Sequence, residues 1–365
     1  MTCTAELVTD ERAFAALAPV WRRLYDNCAS ATPFQSHTWL HSWWRSYGRP
    51  GRLRLLLVRD GADLVAAAPL TAVRRPVPAW VPLGGTISDY GDVLVDDRRG
   101  EAAVAALTGA LASAARTALI DLREVRPGGA AEQVYDRWRG PRRRVADSVC
   151  LELPGLPVDG LIARLPSAKA QQRARAKLRK LAALGVERHA VDADEADKAL
   201  RRLLELHGLQ WRGRQMTGEH RRDRFRQHLV RAVAPMVRSG DAVVTEFRLA
   251  EDVVAVDVTL LSRQLAGGYL YGAHPCLRER KADVALMLLD ACAEHTAPAG
   301  RGTLSLLRGD EPYKHHWRPR TVPNGRLLLA RRRTAPLLAA AAGEAAARDR
   351  GRALRRRRDE RKGRG

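Results

Sequence analysis

Ten residues, Arg308 to Trp317 (RGDEPYKHHW), hold an Arg, two acids, a Tyr, a Lys, two His and a Trp. They directly follow the apolar run TLSLL at 303–307. A strand that ends in such side chains can present them to a ligand. Asp310 or Glu311 has the chemistry to take a proton from an amine or hydroxyl. Tyr313 could donate one to a leaving group, and Lys314 could hold an anion. A structural reading covers the same residues: Gly309 turns the chain, Pro312 stiffens it and Trp317 packs it down.

Three further stretches carry candidate chemistry. TISDYGD (86–92) places Ser88, Asp89, Tyr90 and Asp92 at the end of a strand where a ligand could enter, or where caps and turns are needed. Glu246 and Asp257 interrupt Val-rich strands, so either is a candidate buried base, although alternation also allows both to face water. The loop HPCLRERK (274–281) precedes a helix and adds Arg278, Arg280 and Lys281 to a helix N-terminus, a pattern that can hold a pyrophosphate. It has no Gly-rich cradle, and Asp283 there is also a plausible N-cap. His315 and His316 lack metal-ligand spacing, and no P-loop, GxSxG or dinucleotide fingerprint occurs. No metal site is expected.

The elements that must position these residues recur in order. Residues 10–28 predict an amphipathic helix, and 33–48 a second, with Ser36 as N-cap and Gly48 at its end. Residues 53–59 and 63–73 flank the DG turn of a hairpin. A helix at about 100–115 and a strand near 118–124 follow. The second half predicts helices at 196–214 and 221–240, a hairpin at 242–262, a strand at 266–273, a helix at 283–295, the strand 303–307 and a last strand at 326–332. Each half thus runs two helices, a hairpin, a further strand, a helix and a strand, which implies a structural repeat. A basic helix at 165–185, capped by Ser167, connects them.

The totals bound the partners. The chain has 365 residues, a formal charge of +22 and 45% hydrophobic residues, enough for a substantial core. Such charge suits nucleic acid, an anionic membrane surface or a phosphorylated ligand, or simply a solvated Arg-rich surface. Five Cys without CxxC spacing fit a reducing cytoplasm. No secretory leader and no membrane span are expected. The basic helix 169–180 has six Lys or Arg in twelve residues, but no nucleic-acid-binding motif accompanies it.

PFQSHTWLHSWW, PLGGTISDYGDVLV, the basic helix before ALGVE, LHGLQWRGR, GGYLYGAHP and LRGDEPYKHHWRPR stand in a recognisable order. Over roughly residues 5–332 the chain resembles GNAT-superfamily acyltransferases of the bacterial cellulose and exopolysaccharide type, and more distantly Fem-type aminoacyltransferases. The resemblance implies an α/β fold of mixed sheets in two tandem GNAT-like modules, 1–155 and 156–335. The composition of the Ala/Arg-rich basic tail at 336–365 predicts partial helix at best, then disorder.

It also implies acetyl-CoA or another acyl-CoA as co-substrate, lying beside the strand of Tyr269 and Tyr271. Its pyrophosphate would sit on Arg278, Arg280, Lys281 and the following helix. Direct transfer to an amine or hydroxyl of a sugar, polysaccharide or envelope precursor would use Asp310 or Glu311 as base, with Asp257 behind them and Tyr313 as proton donor. Lys314, Asp89 and Tyr90 would contact substrate. Relatives tend to carry Pro-Gly before this helix, where this chain has Ala282-Asp283, and an Asp there repels a pyrophosphate unless a neighbouring cation offsets it. Two alternatives follow: an aminoacyl-tRNA donor, or a non-catalytic GNAT pair whose basic tail contacts nucleic acid or an anionic surface. The oligomeric state is not legible.

Overall fold

A computed structural model describes residues 3–74, 76–210 and 218–362, with the side chains of 349 and 352–362 outside the description. The chain opens with β1 (Thr4–Val8), α1 (Glu11–Ala16) and α2 (Ala18–Asp26). One helix was expected over 10–28. It breaks at Leu17 because Pro19, in the first turn of α2, has no N–H to give the preceding turn. Next come α3 (His37–Tyr47), β2 (Leu53–Asp60), β3 (Asp63–Val73), β4 (Ala79–Pro82), β5 (Leu94–Val95), α4 (Gly100–Ala114), β6 (Leu119–Val125), α5 (Ala130–Arg137) and β7 (Arg142–Pro154). Ser36 caps α3 as predicted, accepting from the Trp39 N–H.

The second half holds α6 (Val158–Ala163), α7 (Ala168–Ala183), β8 (Val186–Ala190), α8 (Ala196–Gln210), α9 (Asp223–Ser239), β9 (Ala242–Leu249), β10 (Asp252–Leu261) and β11 (Leu265–Ala273). Then follow α10 (Cys276–Glu279), α11 (Val284–Ala293), β12 (Thr303–Arg308), α12 (Pro312–His315), β13 (Arg320–Leu329) and α13 (Ala335–Lys362). Residues 211–214 of the helix predicted over 196–214, and of the LHGLQWRGR stretch, lie outside the described residues. The last strand begins six residues earlier than the predicted 326.

The tail corrects another expectation. Where partial helix followed by disorder was expected, residues 335–362 form one continuous helix. Ala341 and Ala342 pack against Leu119, Leu328 and Ala330, because a run of methyl side chains lets the helix lie close to β6 and β13. Among the described residues no helix is long and apolar enough to cross a membrane.

The expected mixed α/β architecture is present as one sheet, in the order β1-β2-β3-β4-β6-β13-β7-β12-β11-β10-β9-β8, with β5 alongside β3. From either end the pattern is the same. Antiparallel strands lead to one parallel joint, β4 with β6 or β11 with β12. Inside each joint lies the final strand of the other half: β13 sits between β6 and β7, and β7 between β13 and β12. The two halves therefore interlock.

The parallel joints are short. Only Ala79 and Trp80 pair with Leu119 and Ile120, and only Leu265 to Gly267 pair with Thr303 to Ser305. Beyond them the strands separate. In the first half the gap is filled by the chain itself: the Gly91 N–H donates to the Glu124 carbonyl at 2.9 Å. A Cβ on Gly91 would lie 2.3 Å from the Arg123 carbonyl oxygen, so the filling segment needs glycine there. In the second half the chain after β11 turns away instead, into α10 and α11.

Candidate active site

The opened joint between β11 and β12 forms a cavity of about 460 Å³. It reaches both faces of the sheet. On β10, Val256 and Val258 pack with α8 and α9, whereas Ala255 and Leu261 pack with the α11 side. Leu288, Leu289 and Cys292 of α11, with Asp257, line the cavity on one side; Ile87, Asp89, Glu219 and His220 line it on the other. The opening is thus a window through the sheet, with an apolar flank and a polar flank.

Most of the residues singled out in the sequence meet here. Asp89, Asp257, Tyr269, Tyr271, Glu311, Tyr313 and Lys314 all line the window. Asp257 is 3% exposed, and burial raises its carboxyl to about 7 despite the hydrogen bond donated by Thr259 at 3.0 Å. Burial likewise raises Asp89 to about 6, opposed by Arg308, whose Nε lies 3.2 Å away. Arg308 also reaches Glu124 at 3.0 Å and donates to the Thr86 carbonyl. Tyr269 lines the wall with its hydroxyl committed to the Ile87 carbonyl at 2.9 Å. The TISDYGD segment therefore does two jobs: it fills the first joint and forms a wall of the second.

Other expectations require correction. Asp310 does not line the window; its carboxylate contacts His315 Nε2 at 2.6 Å near the surface. Lys314 is 8% exposed, and its ammonium contacts Glu311 at 2.8 Å and donates to the Arg308 carbonyl at 3.2 Å. Leu307 and Gly309 have positive φ, so this turn leaves carbonyls to satisfy, and Lys314 satisfies them. Tyr90 lies behind the wall. Its hydroxyl shares a 2.8 Å hydrogen bond with Ser305, which lines the window, and donates to Glu152 at 3.3 Å. Burial opposes the charge on Glu152, but Arg126 and Arg320 outweigh it and hold that carboxyl below its usual range. Asp92 accepts from the Ala130 and Ala131 N–H groups and so caps α5. Glu246 is paired with Arg248 at 2.7 Å.

Arg278, Arg280 and Lys281 are exposed and do not line the window. Asp283 caps α11, accepting from the Leu286 N–H at 3.0 Å. The cation offsetting it is none of those three but Lys177 of α7, 2.8 Å away. The backbone of β11 past Gly267 has no strand neighbour on the β12 side, which suits an extended acyl-pantetheine arm. The start of α11 does not suit a diphosphate, because a carboxylate already occupies it.

Sequence reasoning missed a histidine pair. His207 Nδ1 lies 2.7 Å from the Tyr271 carbonyl and so carries the proton, leaving Nε2 as an acceptor 3.4 Å from His220 Nδ1. In that arrangement His220 donates through Nδ1 and keeps a lone pair on Nε2. Burial lowers both histidines, His220 to about 4, so both are neutral near pH 7. The two are thirteen positions apart, on α8 and beyond it, and nothing in their spacing marks a pair.

Residues 168–315, which run from α7 through α12 and include much of the window's lining, match the model of an acetyltransferase (GNAT) domain. No curated protein matches the chain by sequence. Among solved structures, FemX superposes with a TM-score of 0.61 at 12% identity, covering 93% of this chain and 99% of its own. A protein of unknown function from Bacteroides thetaiotaomicron gives 0.57 at 13% identity, covering 90% and 100%. The C-terminal domain of a protein assigned as a lysylphosphatidylglycerol synthetase from Agrobacterium fabrum gives 0.55 at 11%, covering 90% and 96%. At these identities the likeness is one of fold.

Proposed function

We propose that the protein is an acyltransferase that moves an acyl group directly onto an amine or hydroxyl held in the β11–β12 window. The observation that carries this reading is the unequal treatment of two equivalent joints: the first is filled by residues 83–93, the second is open and lined by titratable groups. The donor's extended arm would lie along β11 with its acyl group against Leu288 and Leu289. The acceptor would approach from the side of Asp89 and His220.

The acceptor's nitrogen or oxygen attacks the acyl carbon, and backbone N–H groups of β11 past Gly267 stabilise the oxyanion. His220 Nε2, neutral near pH 7, takes the acceptor's proton, and His207 holds the ring through Nδ1. The leaving group departs as the acyl–donor bond breaks. No covalent enzyme intermediate is needed. A sugar or envelope precursor as acceptor, and acyl-CoA as donor, follow from the sequence resemblance.

One observation favours a second donor. The Asp283 carboxylate at the start of α11 disfavours a diphosphate there, which leaves a donor without a diphosphate at that place, such as an aminoacyl ester on tRNA, as the second reading. Calorimetry with acetyl-CoA, longer acyl-CoAs and free CoA tests the first donor. Micromolar binding is expected for at least one. No heat from any of them overturns the acyl-CoA reading, and transfer from aminoacyl-tRNA then becomes the decisive assay.

A further inference from the structure

A second cavity, of about 700 Å³, lies at the other end of β6 from Glu124. Among the described residues seven line it, and five are arginines: Arg116, Arg139, Arg331, Arg332 and Arg333, with Gly140 and Pro141. Three separate segments bring them together, and specific bonds fix those segments. The Thr334 hydroxyl, 4% exposed, donates to the Ala115 carbonyl at 2.7 Å, beside Arg116. The Ala330 N–H donates to the Pro141 carbonyl at 2.9 Å, beside Arg139 and Arg331. Gly140 has no room for a side chain, since a Cβ would lie 2.3 Å from the Ala330 carbonyl oxygen.

Among the described residues none of the five arginines has an ion-pair partner. Their neighbours do: Arg137 pairs with Glu101 at 2.8 Å and Arg144 with Glu132 at 2.7 Å. Five guanidinium groups around one cavity repel one another unless an anion offsets them. The helical run that starts at Arg332 and continues into α13 adds the positive end of its dipole.

We propose that this cavity binds a chain of phosphate groups. Its volume lies within the range of about 300–1,000 Å³ usual for ligand pockets. The planar guanidinium fork matches phosphate oxygens two at a time. Among the described residues no aromatic ring lines the cavity to stack a nucleobase. A flat bilayer cannot enter a concavity. The ligand read here is an oligophosphate, bound independently of the window.

The test is calorimetry on the full-length protein with inorganic tripolyphosphate at about 0.15 M salt, where surface attraction is screened beyond about 8 Å. Tripolyphosphate should bind, with orthophosphate at least about tenfold weaker. R139S/R332S/R333S should weaken tripolyphosphate by about tenfold or more. R173S/R175S/R179S removes the same charge from exposed positions on α7 and should change it by less than about threefold. Equal losses in the two variants would show diffuse attraction and overturn the proposal, as would absence of binding. An RNA oligonucleotide or anionic vesicles bound through Arg139, Arg332 and Arg333 while tripolyphosphate is not would also overturn it.

Discussion

Asp283 holds the Leu286 N–H at 3.0 Å and Lys177 Nζ at 2.8 Å, so one carboxylate caps α11 and ties it to the basic connecting helix α7. This contact sets the charge at the place where related folds were expected to receive a diphosphate. Asp283→Gly should leave stability within a few tenths of a kcal/mol, because glycine is itself a tolerated N-cap. The same change should tighten free CoA by about tenfold, read by calorimetry. An unchanged affinity would mean that α11 is not where the diphosphate sits.

Asp257 gives a pH signature. Its carboxyl titrates near 4 in the unfolded chain and at about 7 in the fold. The folded state therefore holds the proton more tightly. No cost exists below pH 4, a cost grows between pH 4 and 7, and it is complete above pH 7. Asp257→Asn should match the native chain near pH 4 and exceed its stability by roughly 2–4 kcal/mol at pH 8. Denaturant unfolding at both pH values measures the difference. Asp89 and Asp92 titrate in both proteins, so their contributions cancel.

Gly272 sets the distance between α8 and β11. A Cβ there would lie 2.3 Å from the Leu203 carbonyl oxygen and 2.5 Å from the His207 nitrogen, both backbone atoms. Gly272→Ala should cost about 1–3 kcal/mol, or more if α8 cannot retreat. It should also detach His207 from the Tyr271 carbonyl. Nitrogen-15 NMR of the imidazoles would show His207 losing its fixed tautomer.

Arg308 compensates two acids at once. Arg308→Met should cost about 3 kcal/mol at pH 7, near the low end for a broken buried pair because its side chain retains 28% exposure. Asp89 and Glu124 would lose their common cation. The cost should shrink below about pH 6 as Asp89, whose carboxyl burial raises to about 6, takes up its proton. A loss independent of pH would place the damage in packing rather than charge.

Local signals were legible. Ser36, Ser167 and Asp283 cap their helices as their types and positions predict, and the Asp-Gly hairpin and the paired halves follow from alternation and order. The polar turn after β12 was recognisable as part of a site, yet its individual roles were not. Asp310 and Glu311 are adjacent, but only Glu311 lines the window. Asp257 could not be placed because alternation assigns a strand residue to a face without saying what covers that face. α11 covers it here. β7 escaped notice because its first residues, RRRVADS, are polar, and its partners come from almost 200 positions away. The histidine pair depends on how α8 meets the segment beyond it, which no short-range pattern encodes.

The exchange of β7 and β13 has a consequence for synthesis. The slot between β6 and β7 is filled by residues 320–329, far downstream of both strands. As the chain emerges from the ribosome, one edge of β6 and both edges of β7 stay unpaired until residues 303–329 have been translated. Neither half can complete its hydrogen bonding alone, so folding is gated by the arrival of the last strand. A chain truncated before residue 320 would leave β6 and β7 as open edges exposed to self-association.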